Sequence, residues 1–413
     1  MTTLEGLLRS YLDLRWHFDP AAASAAGVVS ADARLGAFDA QAMREHLAAF
    51  RAVAAGIEDL DLEELDDEID RTALLAEVRV TIARFEEDRP HLRDPSFWVG
   101  HVRDAVGSLR GRAVPDAAAP AALARIVAVP AFLDAARAAL LRPPVVLVDA
   151  ALAELGPVGE LLVRAAMEFG PGSPGGADAM DAAVSAALEA LARFGAALRS
   201  SIESEADWTR SALGEKRYER RIQEAYAIRS SPAELARWAA GALDGAVPVE
   251  SDTPDVSTRG DALVAAQARA AADLASPVRR ALRSPVAVDG WALYAAGVGA
   301  ESTPEWRRLL RQAAARLAAD VGLHLGRMDP SEGARLLIRS GLTPESAERE
   351  IPLIAAEPTR GLARAAGYRD IVRLRKAFGE SGADRTPEAF HTALFRYGAL
   401  PPGLAGWGMG LDR

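Results

Sequence analysis

Apolar residues recur with a helical period along most of the chain. Leu4, Leu7, Leu8, Tyr11, Leu12, Leu14, Trp16 and Phe18 supply the inward face of a first helix, which Asp19-Pro20 ends. Asp39 is the expected N-cap of a helix over 40–58, with Met43, Leu47 and Phe50 turned inward. The acidic stretch from Asp59 to Asp70 leads into a helix from Thr72 to about Glu87, with Leu74, Leu75, Val78 and Ile82 on one side and Pro90 as its stop. The same period predicts helices over 119–140, 150–170, 178–206, 232–245, 260–282, 287–298, 304–324, 330–340, 344–356, 359–379 and 387–397. Val145 to Val148 has the look of a strand, and it is short enough to open the following helix instead. The pattern predicts an all-α, large bundle-like fold with little or no sheet. A polar, proline-bearing run from Ala246 to Ser257 divides an N-terminal helical region, 1–245, from a C-terminal one, 258–413.

Composition narrows the partners. The chain has 413 residues, half of them hydrophobic, and 48 basic against 58 acidic side chains. A net charge of -10 argues against nucleic acid, whose phosphates select the opposite balance. No cysteine is present, which excludes disulfides, thiolate nucleophiles and thiolate-bound zinc. Charges run through the apolar part of the N-terminus, and no apolar stretch approaches the roughly 18 residues of a membrane span, so the expected location is cytoplasmic, with no membrane partner.

The chemistry legible without help is sparse. The six histidines, at 17, 46, 91, 101, 324 and 391, form no His-x-x-x-His and no other metal-ligand spacing. His91 and His101 flank Trp98 in RPHLRDPSFWVGH and either converge or serve as surface and capping residues. There is no Gly-x-Ser-x-Gly, Walker loop or Gly-x-Gly-x-x-Gly after a strand. Arginine is plentiful, and its planar fork suits carboxylate or sulfate.

One segment carries a specific resemblance. SPVAVDGWALYA at 284–295 is similar to the Glu-Gly-Trp-Ala-Leu-Tyr-x-Glu signature of the family known as domain of unknown function 885. DPAAASAAGVVSADARLGAFD, DEIDRTALLAEVR, RPHLRDPSFWV, LGEKRYERRIQEAY, DVGLHLGRMDPSEGARLL and FHTALFRYGALPPGL follow that family's order over most of the chain. The resemblance implies an all-helical fold like that of zinc metallocarboxypeptidases, with a His-Glu-x-x-Pro-Gly-His-His metal motif on the helix before the signature.

The departures set the functional expectation. Family members run longer, and the missing stretch falls around 246–257. Counting back from Asp289 without gaps, the His-Glu pair falls on Thr258-Arg259 and the His-His pair on Val264-Ala265, while the signature's glutamates become Asp289 and Ala296. Such a site does not retain zinc, and a guanidinium in place of the general base cannot deprotonate water. No cofactor is expected. Where the family has Pro-Gly-Gln-Ala-Leu-Ser-Tyr, this chain has Pro358 to Arg364, which adds Arg360 and Arg364. The resemblance thus implies a cleft lined by Arg259, Arg360 and Arg364, with His324 beside them as substrate-binding residues, and with Asp289 and Tyr294 as catalytic candidates on one helix face. Arg259 and Asp289 are expected to approach where the metal would have been. The alternative places the arginines on outer helix faces. Two functions follow: a metal-independent lyase or cyclase acting on a small or carrier-linked anion, or an inactive homologue that binds a peptide or partner protein.

Overall fold

The computed structural model describes residues 3–110, 115–201, 212–245, 266–270, 272–298, 303–381 and 386–411. Its α-helices are α1 (Leu4–Phe18), α2 (Pro20–Ala25), α3 (Ala40–Glu58), α4 (Leu65–Ala83), α5 (Pro90–Arg93), α6 (Pro95–Gly107), α7 (Pro115–Ala139), α8 (Val145–Phe169), α9 (Gly176–Ser201) and α10 (Glu215–Tyr226). They continue with α11 (Pro232–Leu243), α12 (Pro277–Ala281), α13 (Pro285–Gly297), α14 (Pro304–His324), α15 (Pro330–Arg339), α16 (Pro344–Ala356), α17 (Ala363–Glu380), α18 (Pro387–Phe395) and α19 (Pro402–Gly408). Among the described residues there is no strand, only an isolated bridge between Arg283 and Ala399. The fold is all-α, as the periodicity predicts.

Proline explains where the expected boundaries move. It locks φ near the helical value and gives up only an amide that the first turn leaves unbonded, so it starts helices as readily as it stops them. Pro90 does not merely end the preceding helix; it opens α5. Pro95 opens α6 after the Asp94 carboxylate accepts the Ser96 amide at 2.8 Å, so RPHLRDPSFWVGH is mostly helical. Pro232 and Pro330 follow Ser231 and Asp329, each of which forms a reciprocal capping box with the glutamate three residues on. Asp39 caps α3 as expected, accepting from Gln41 and Ala42. The acidic stretch itself begins α4 at Leu65, with Asp66, Asp67 and Glu68 against the positive end of the helix dipole. Val145 starts α8 rather than a strand.

The described residues gather into two compact units. Unit 1 comprises Met1–Leu8, Ala54–Val80 and Ser211–Arg413; unit 2 comprises Arg9–Val53 and Thr81–Arg210. The run 246–257 lies outside the described residues. In unit 2, α6 to α9 pack on one another and α2 lies on α6. Residues Ala117–Ala139 of α7 are apolar and long enough to cross a membrane by length and composition. They are nonetheless built around a fully buried Arg125, with Ala122, Ile126, Val129 and Leu133 in the core. In unit 1, α14 packs against α11, α15, α16 and α17, and α13 lies along α17. Ala315, Ala319 and Leu323 of α14 interlock with Leu337, Ala347, Ile351 and Ile354 of the α15–α16 pair.

Candidate functional site

The signature segment forms α13, and its glycine explains where it sits. A Cβ on Gly367 of α17 would lie 1.9 Å from the Val286 carbonyl oxygen, and one on Gly290 would lie 2.4 Å from the Gly367 carbonyl carbon. The two helices therefore touch backbone to backbone. Trp291 and Tyr294 are buried on α13, while Asp289 is exposed. The expectation that Asp289 and Tyr294 share a face is corrected: five residues turn a helix through about 140° past a full turn, which separates them.

Tyr294 is engaged inside unit 1. Its hydroxyl lies 3.1 Å from Nε2 of His391, from the FHTALF segment, and the Arg375 guanidinium stands 6.0 Å from its ring centroid. Trp291 meets the His391 and Phe395 rings edge-on at 5.2 and 5.0 Å. Burial pushes the His391 pKa down to about 4, Arg375 adds to this, and Glu388 opposes it. An unfolded histidine takes its proton near pH 6.5. Between that value and about 4 the unfolded chain binds the extra proton, so stability is intact above the window and is lost as the pH falls through it. We expect a loss on the order of 2–3 kcal/mol, and a shallower loss in His391→Phe, measured by denaturant titration across that pH window. His91 in unit 2, also lowered to about 4 by burial, keeps part of the slope in the variant. An unchanged slope would reject His391 as a contributor.

A second cluster holds the turn that follows α16. Asp320 is fully buried and accepts from the Tyr218 hydroxyl (2.7 Å), the Thr359 amide (3.0 Å) and the Gly361 amide (2.6 Å). Burial raises its pKa against these donors, which favour the carboxylate. Thr359 takes a left-handed φ of 77°, and its hydroxyl lies 3.0 Å from the Tyr226 hydroxyl. Three segments of the resemblance thus meet at one carboxylate that sequence reasoning missed, although Asp320 opens DVGLHLG. His324 belongs here. It is fully buried, its Nε2 lies 2.8 Å from the Ile354 carbonyl, and its ring stacks on Tyr218 at 6.0 Å.

The arginines divide. Arg360 is exposed and pairs with Glu357. Arg364 is half-buried, and among the described residues its side chain has neither an ion pair nor a hydrogen bond; the same holds for exposed Asp289. Arg259, and with it the expected approach to Asp289, lies outside the described residues. Another arginine, unforeseen, anchors the entrance to α13: Arg279 is buried and donates to Asp70 (2.7 Å), Asp66 (3.1 Å) and the Arg396 carbonyl (3.2 Å).

The residues that the count back from Asp289 puts at the family's metal positions do not fit a zinc ion: Val264, Ala265 and Ala296 have no donor in the side chain, and Arg259 carries a positive charge. Among the described residues no three His, Asp or Glu side chains gather where they could share a metal.

Comparison with known proteins fixes the family. No curated protein matches the chain. A structure from Shewanella oneidensis, titled as that of a "putative lipoprotein of unknown function", superposes with TM-score 0.77 at 14% identity, covering 99% of this chain and 100% of its own. A "putative lipoprotein" from Colwellia psychrerythraea superposes with TM-score 0.72 at 13% identity, covering both chains fully. At these identities the likeness establishes the fold. Both solved structures are described as lipoproteins, which speaks against the cytoplasmic location expected from the N-terminal sequence. Residues 20–246 and 264–405 match the family described as "Bacterial protein of unknown function (DUF885)", and the chain belongs to that family.

Proposed function

We propose that the chain binds an anionic small molecule, free or carrier-linked, beside the crossing of α13 and α17, and acts on it without a metal. The observation that carries this reading is the uncommitted pair of charges at that crossing. Arg364 lies one turn before Gly367, and Asp289 immediately precedes Gly290. A half-buried guanidinium without a counter-ion is costly, and a carboxylate, phosphate or sulfate held by its two parallel N–H groups would offset that cost. Asp289 would then remove a proton from the bound molecule while Arg364 stabilises the developing oxyanion, as in an elimination or ring closure. Tyr294, held by His391, is a positioning residue on the buried side of the same helix, and Arg360 stands at the rim with Glu357.

The engagement of Tyr294, His324 and Arg360 favours a second reading, in which the protein binds a ligand or partner and no longer turns it over. Calorimetric titration with inorganic phosphate, sulfate and succinate tests the binding common to both. We expect at least one to bind saturably, and Arg364→Leu to weaken it about tenfold. Absence of saturable binding, or binding indifferent to Arg364, would reject this site.

A further inference from the structure

We propose that a groove between α2, α6 and α8 in unit 2 binds a small primary amine with an apolar body, its ammonium resting on Asp19 and the ring of His101. The groove encloses about 670 Å³, within the range of small-molecule sites. Small side chains make the room: Ala22 and Ala25 line one wall, and a Cβ added to Gly107 would meet nothing within 4 Å. Pro157 and Leu161 supply an apolar wall on α8.

The charges of the groove do not balance evenly. Asp104 is held by Arg103 at 2.9 Å, and Arg103 reaches Glu154 at 2.8 Å. Arg164 pairs with Glu160 at 3.3 Å. Asp19 is left as the groove carboxylate without a cation among the described residues; one of its oxygens accepts the Ala22 amide at 3.0 Å. His101 lines the same groove, wedged among the rings of Phe38 (4.6 Å), Phe97 (5.0 Å) and Phe132 (6.1 Å). Its Nε2 is sealed from solvent and has no hydrogen-bond partner. Burial holds the ring below its ordinary pKa against the pull of Asp19 and Asp104, which favours the uncharged imidazole, so the ring does not repel a cation. An ammonium donates to the uncompensated carboxylate and rests against the neutral ring of His101, while a hydrocarbon body covers Leu161 and Pro157. An anion would meet Asp19 head-on.

Titration calorimetry of the full chain with n-hexylamine and with hexanoate, equal in length and opposite in charge, tests the proposal. We expect hexylamine to bind saturably and hexanoate at least about tenfold more weakly. Asp19→Asn retains the amide-accepting oxygen of the helix cap and removes only the charge. It should weaken hexylamine about tenfold, with far-UV circular dichroism unchanged. Gly107→Leu, which grows into open space, should abolish binding. No saturable hexylamine binding, equal binding of hexanoate, or indifference to both substitutions would overturn the proposal.

Discussion

Arg125→Met should be the most damaging single change in unit 2, lowering stability by about 4 kcal/mol or more. The side chain of Arg125 is fully buried, and its fork is spent on six oxygens. Nε donates to the Arg34 carbonyl at 2.9 Å. One terminal nitrogen bonds the Ala105 carbonyl and, at 3.0 Å, the Ser108 hydroxyl. The other reaches the Pro20 carbonyl (3.0 Å), the Ser24 hydroxyl (2.7 Å) and the Ala31 carbonyl (3.2 Å). Ser24 in turn donates to Asp32 at 2.7 Å. One residue of α7 therefore ties down the ends of α2 and α6 and the loop from Ala31 to Arg34. Methionine fills much of the volume but leaves the buried carbonyls and the Ser24 and Ser108 hydroxyl oxygens without their donor. Lysine, with three donors on one nitrogen, cannot reproduce the fork, so Arg125→Lys should recover little. Thermal unfolding checks this; a midpoint within about 2 °C of wild type for Arg125→Met would show that the network contributes no net stability.

Arg125 also marks the limit of what the sequence discloses. A lone arginine in an apolar helix is a visible anomaly, but its six acceptors come from three separate stretches between Pro20 and Ser108. The helices were legible because a period of 3.6 needs only neighbours, as the expected cap at Asp39 and the inward Met43 and Phe50 illustrate. The helix starts were not, because Asp94-Pro95 and Pro90 read as breaks until the cap geometry is known. The resemblance identified the right segments without the contacts that join them. Asp320 finds Thr359 and Gly361 some forty residues away, and His391 finds Tyr294 across 97 residues. Asp289 and Tyr294 were grouped by closeness in sequence, and the turn of the helix parted them.

Gly367→Ala should be the most damaging change in unit 1, because the atom it adds has nowhere to go. The new Cβ would stand 1.9 Å from the Val286 carbonyl oxygen and 2.9 Å from the Gly290 Cα, and all of these are backbone. No rotamer change relieves a clash with main chain; α13 and α17 must separate along their shared face. Separation withdraws α17 from Trp291, Leu293 and Ala295, which are now buried on α13. Overpacking of ordinary cores costs about 1–3 kcal/mol, and a backbone-to-backbone contact belongs at or beyond the top of that range. Gly379, on the same helix, is the control: a Cβ there meets nothing within 4 Å, so Gly379→Ala should be neutral or stabilise by up to about 1 kcal/mol through helix propensity. The pair also bears on the proposed site, since Arg364 is fixed by the seating of α17. Gly367→Ala should weaken anion binding together with stability, whereas Gly379→Ala should leave binding unchanged. Denaturant titration and calorimetry on both variants measure the two effects, and a Gly367→Ala protein as stable as Gly379→Ala would refute the close crossing from which the site is built.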